Sequence, residues 1–138
     1  MSIRALVWGE YIHERNNAAV AAIYPDGMHR VIAAALAEDS GIAVETATLQ
    51  EAEHGLAAER LARTDVLFWW GHRAHGDVAD AVVERVQARV WEGMGLVVLH
   101  SGHHSKICFQ PWRKTSAAMS PCAPASCLRR SPNMENER

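Results

Sequence analysis

Three short apolar runs, IRALVW at 3–8, VLFWW at 66–70 and LVVLH at 96–100, and one alternating run, IAVETAT at 42–48, recur along the chain. Each gives way to a glycine or a polar cluster, and the stretches between them carry helical spacing. VLFWW has no polar alternation, the mark of a strand covered on both faces, as in a parallel sheet. Strand–helix alternation with short connections argues for an α/β domain, and right-handed crossovers make it a flavodoxin-like three-layer sheet, with four strands in this chain.

The intervening helices follow from caps and stripes. Asp26 is expected to cap a helix over about 27–38, with Met28, Val31, Ile32, Ala35 and Leu36 on one face and Gly41 ending it. Residues 11–24 read as loop and a helical turn, and Leu56–Leu61 as a short helix. Asp77 is expected to cap a helix from 78 to about 92, with Asp80 completing a capping-box-like pair. Val78, Val82, Val86 and Val90 form its stripe, widened by Val83, and Gly93 and Gly95 stop it.

The chain has 138 residues and 49% hydrophobic composition, enough for one domain with a real core. Its formal charge of −2 gives no field that would favour nucleic acid or an acidic membrane. No apolar run reaches membrane-spanning length and the N-terminus turns polar too early for a secretory signal, so a reducing cytoplasm is the default expectation. All three cysteines fall after residue 107, together with four of the five prolines and an excess of basic residues. Residues 1–106 therefore read as the domain, and 107–138 as an irregular tail.

In such a sheet ligands bind beyond the carboxyl ends of the strands. Glu10 and His13 follow the first run, and His72, His75 and Asp77 the third. His100, Ser101, His103 and His104 end or follow the fourth. Six of the eight histidines thus converge on one rim. Two H-x-x-H spacings, His72/His75 and His100/His103, suit zinc or another divalent ion, and Glu10 or Asp77 could complete a site. The plainer reading has these histidines capping helices and bonding loop carbonyls. His29 and His54 read as surface or helix residues.

The turn LHSGHH resembles a nucleophile elbow, which makes Ser101 a candidate nucleophile; the alternative is that Ser101 caps the next helix. With no cysteine in residues 1–107, a Cys–His mechanism has no nucleophile. Trp8, Trp69 and Trp70 flank the same rim and suit either sugar stacking or core packing; Trp69 and Trp70 must point to opposite faces. A flavin site ranks low, for want of a Ser/Thr/Gly-rich phosphate loop after the first strand.

VWGEYIHE, AIYPDGMHRVIAAALAE, DVLFWWGHRAH and EGMGLVVLHSGHHSKI resemble successive segments of the ThuA-like trehalose-utilisation family, over residues 3–107. The resemblance implies a fold like that of class I glutamine amidotransferases without their cysteine nucleophile. It implies a role in the use of trehalose and related disaccharides, with metal-assisted chemistry on a keto-disaccharide or related glycoside. It carries over His72, His75, His100 and His103 as the metal or active-site cluster. Glu10, His13 and Ser101 are the expected catalytic groups, a small sugar the expected partner, and a homo-oligomer is compatible with the reading. The resemblance breaks off near Ile107, which suggests a frameshift or premature stop and an unstable or inactive product. A non-catalytic remnant or interaction module and a Ser101-dependent hydrolase are the alternatives.

Overall fold

A computed structural model describes residues 2–110. Four parallel strands, β1 (Ile3–Gly9), β2 (Ile42–Thr48), β3 (Val66–Trp70) and β4 (Gly95–Leu99), lie in the order β2-β1-β3-β4. This is the expected α/β sheet. The strand order reverses direction about β1, so the crevice between the carboxyl ends of β1 and β3 is the topological switch point. Register pairs Gly9 with both Thr48 and Trp70, and Trp70 with Leu99, so the strands end level and their trailing loops share one rim.

One sheet face carries Leu6, Trp8, Leu67 and Trp69, packed with Leu61, Val78, Val82, Val83, Val86 and Ile107. These come from helices α4 (Ala58–Ala62), α5 (Asp80–Trp91) and α6 (Lys106–Phe109) and the segment before α5. Trp8 and Trp69 are fully buried and stack at 4.0 Å between ring centroids. Truncation of either would cost about 3–5 kcal/mol. On the other face α3 (Met28–Leu36) packs on β1 and β2 and seats His29 over Gly9. Two short helices, α1 (His13–Asn16) and α2 (Ala18–Ile23), fill the loop between β1 and α3.

Several local expectations shift. Asp26 does not cap α3: the first residue before the helix is Gly27, at φ +89°, and the Met28 N–H is taken by the buried Glu14 carboxylate at 3.0 Å. Gly41 does not end that helix, which stops at Leu36; Gly41 instead donates its N–H to Asp39 Oδ1 in the turn before β2. Asp77 does not cap α5, which starts at Asp80. The Ala79 N–H goes to His54 Nε2 at 3.1 Å, and Asp80 accepts from Lys106 and Gln110. Gly93, at φ +113°, does end α5: its N–H bonds the Val90 carbonyl and that of Met94 the Arg89 carbonyl, a Schellman closure. Gly95 starts β4 rather than stopping the helix.

The ordered chain continues past residue 106, since Lys106–Phe109 is helical and Ile107 is fully buried. The expected irregular tail otherwise lies outside the described residues. Among the described residues, no helix is long and apolar enough to cross a membrane.

Candidate functional site

Glu10, the first residue after β1, is 1% exposed. Its Oε2 accepts the main-chain N–H groups of Arg73 (2.6 Å) and Ala74 (2.9 Å), which pins the loop after β3 to the end of β1. Its Oε1 has no hydrogen-bond partner among the described residues and lies 3.7 Å from His75 Nδ1. A buried carboxylate needs such donors to offset lost hydration.

Gly71 makes this packing possible. A Cβ there would stand 2.4 Å from Ser105 Oγ and 3.2 Å from both Glu10 Oε1 and His75 Nδ1. Ser105 is itself buried; it accepts from Trp69 Nε1 at 3.1 Å and sits 2.8 Å from His75 Nδ1. Ser105 and Gly71 escaped the reading of the sequence. A glycine at a strand end hints at close backbone approach, but a serine ahead of a helix says nothing of a tryptophan thirty-six residues earlier.

His13, His72 and His100 form a row. His13 and His72 lie 5.1 Å apart between ring centroids at 19°, and His72 and His100 lie 6.0 Å apart at 18°. Each comes from the end of a different strand, as expected. His75, His104 and His103 form a second group: His75–His104 at 6.1 Å and His103–His104 at 3.9 Å. The two H-x-x-H pairs are therefore split between groups rather than aimed at one point.

Ser101 Oγ donates to the Gly71 carbonyl at 2.9 Å and lies 2.8 Å from His72 Nδ1. A hydroxyl has one proton, so His72 Nδ1–H donates to Ser101 and Nε2 is left as the basic nitrogen. By the same logic His103 donates Nδ1–H to the His100 carbonyl at 2.8 Å. Burial, with the neighbouring charges of His13, Arg73 and His100, holds the His72 pKa below the ordinary histidine value. Its imidazole stays neutral at neutral pH.

The strained position after β4 belongs to His100, not Ser101: His100 has φ +46° and opens the 3₁₀ turn His100–His104. Ser101 does not cap α6 either, since Ser105 stands at that position. Trp8 and Trp69 are core, with their indole N–H groups on the His54 carbonyl and Ser105; Trp70 borders the row, 5.6 Å from His72. His54 donates to the Leu49 carbonyl and accepts from Ala79, so it is a structural tie. His29 is 4% exposed, a helix residue but not a surface one.

Among the described residues, no group of three or more His, Cys, Asp or Glu side chains is placed to hold a metal ion. The reason is visible in the row. Imidazole lone pairs lie in the ring plane, and rings whose planes are within 20° of parallel, with centroids 5.1 and 6.0 Å apart, do not aim those lone pairs at a shared point. In this arrangement the residues do not form a cage for zinc.

Comparison with curated proteins gives no match. A family model described as trehalose utilisation matches residues 4–123, past the point near Ile107 where the resemblance was expected to stop. With most of its length matched, and with the parallel sheet and histidine-lined rim that the resemblance implies, the chain belongs to the ThuA trehalose-utilisation family.

Proposed function

We propose that the chain handles a disaccharide of the trehalose type, or a keto derivative of one, at the histidine-lined crevice, by proton transfer between imidazoles and the sugar. The observation that carries this reading is the row His13–His72–His100, three imidazoles from three strand ends stacked at the switch point. His72 is a neutral imidazole with its tautomer set by Ser101, the form required of a general base. His100, on the strained turn, is exposed and able to meet a substrate oxygen. Glu10 acts as a positioning residue, since its carboxylate is committed to the loop that carries His72 and His75.

The test is turnover or binding of trehalose and its keto derivative by the wild type and by His72→Ala and His100→Ala. Both variants should lose turnover by about 100-fold or more, as expected for loss of a proton-transfer group. Full turnover by both would end this reading. Zinc content and a zinc titration on the same samples decide the metal-assisted version, in which His72, His75, His100 and His103 would rearrange to take up a divalent ion.

One contact favours a second reading. The 2.8 Å approach of Ser101 Oγ to His72 Nδ1 would pair a nucleophile with its base in the other tautomer, with Nδ1 unprotonated and the Ser101 proton turned to it from the Gly71 carbonyl. Covalent labelling by a serine-directed phosphonate, abolished in Ser101→Ala, would establish a hydrolase instead.

A further inference from the structure

The carboxyl end of β2 carries a cavity of about 740 Å³ that the histidine groups do not use. It lies on the α3 face and falls within the roughly 300–1,000 Å³ common for small-ligand sites. Its lining is mixed: Thr46, Thr48, Asp26, Arg30, Tyr11 and His29, with the Thr48 hydroxyl already donating to Glu51 at 3.3 Å. Glu51 closes one side and is already paired with Arg60 at 3.1 Å. A second, more open recess along α3 shares Asp26, Arg30 and Thr46 with it, so the opening continues as a groove.

Two features set this apart from an ordinary surface dent. His29 is 4% exposed, and its Nδ1 has no hydrogen-bond partner among the described residues. Tyr11 holds φ +49°, an uncommon conformation for a bulky residue, and packs edge-on against His29 at 5.1 Å. Gly27 is needed beside them, because a Cβ there would lie 2.6–2.7 Å from both rings. The unpaired Nδ1 is itself shut from solvent beside Gly27, so a ligand would meet the rest of the His29 ring, next to a tyrosine held in a costly conformation.

Charge decides what kind of ligand. Asp26 and Glu51 oppose an anion, and Arg30, which makes no ion pair among the described residues, opposes a cation. Burial, together with the Arg30 charge, pushes the His29 pKa down, so His29 adds no charge at neutral pH. Interleaved donors and acceptors of near-zero net charge suit a molecule whose every polar group both donates and accepts. That molecule is a neutral polyol, and an aromatic wall suits the C–H face of a pyranose ring.

We infer that the Tyr11–His29–Thr46 cavity is a binding site for a neutral hexopyranose unit, distinct from the histidine row. The choice of a sugar over another neutral polyol rests on the sugar reading above. The loop after β1 borders both places, with Tyr11 in the cavity and His13 in the row, so occupancy of one is positioned to be felt at the other.

The experiment is titration of the full chain with D-glucose and with glucose 6-phosphate, read by calorimetry and by the ¹⁵N signals of the imidazoles. Thr46→Val, Arg30→Ala and His72→Ala are titrated in parallel, each checked by thermal melt. D-glucose should bind the wild type and shift the His29 signals. Thr46→Val and Arg30→Ala should each weaken it by about three- to tenfold, the loss of one hydrogen bond, and by more than His72→Ala does. Binding that survives both cavity variants and disappears in His72→Ala would move the sugar to the histidine row, sinking this inference alone. A preference for glucose 6-phosphate would make the cavity an anion site and overturn it. Failure of the wild type to bind glucose or trehalose at all would remove this inference and the sugar reading together.

Discussion

Glu10 accepts the main-chain N–H of Ala74, sixty-four residues further along the chain, at 2.9 Å, and the same carboxylate oxygen takes the Arg73 N–H. One side chain at the end of β1 thus fixes the loop that carries His72 and His75. Glu10→Gln keeps an acceptor oxygen but loses the charge that strengthens both bonds. It should lower stability by about 1–3 kcal/mol, measured by urea unfolding. Glu10→Ala, which leaves both donors unpaired, should cost more. Unchanged unfolding midpoints in both would show that the loop is held by other means.

Ser101 sets the state of His72. In the wild type at about pH 7.5, ¹⁵N spectra should show His72 as one tautomer, protonated on Nδ1, because Ser101 spends its own proton on the Gly71 carbonyl. Ser101→Ala removes the acceptor and should give a mixed population without loss of fold. A single Nδ1–H tautomer persisting in that variant would show that something other than Ser101 orients the ring.

Acid should destabilise the chain through two histidines. His29 and His72 both have pKa values held below 6.5, with burial the first cause in each; Arg30 adds for His29, and His13, Arg73 and His100 for His72. A folded-state pKa below the unfolded one means that the unfolded chain binds more protons between the two values. Stability should therefore be indifferent to these groups above about pH 7 and fall as pH drops through 6.5 toward their folded values. Urea melts at about pH 8 and pH 5.5 measure the slope, and His29→Gln should reduce it. A slope untouched by that change would place the acid sensitivity elsewhere.

The sheet was legible because the inner strand β3 leaves a continuous apolar run and the edge strand β2 an alternating one. VLFWW and IAVETAT match β3 and β2 residue for residue. The rim followed from the sheet, since strand ends in a parallel topology point one way. What the residues could not reveal was how the histidines divide. Spacing places His72 and His75 in one loop, but Ser101 takes one ring and Ser105 the other, and both partners arrive from beyond β4. Helix caps misled for a related reason. Asp26 and Asp77 have the right chemistry and lie near the right positions, but Glu14 and His54 reach across space to take an N–H at each of those helix starts. His29 reads from the sequence as a surface or helix residue, and Tyr11 gives no reading, because a lone histidine in a helix and a tyrosine in a loop carry no pattern.

Two glycines should respond to alanine for different reasons. At Gly93 there is open space around an added Cβ, but the backbone stands at φ +113°, so Gly93→Ala should cost about 1 kcal/mol from conformation alone. At Gly71 no left-handed backbone is involved; the obstacle is Ser105 Oγ at 2.4 Å, fixed by Trp69 and close to His75. Gly71→Ala should therefore cost about 1–3 kcal/mol through forced displacement of a packed neighbour, and should disturb the His75 signals as well. The distinction is measurable by a double-mutant cycle. Removing the Ser105 hydroxyl clears the obstacle, so Gly71→Ala with Ser105→Ala should be less destabilised than the sum of the single changes. Gly93→Ala with Ser105→Ala shares no such contact and should be additive. Additivity in the Gly71 pair would mean that the site tolerates a methyl group without moving Ser105, and the close packing of Glu10, His75 and Ser105 about Gly71 would lose its claim to hold the histidines in place.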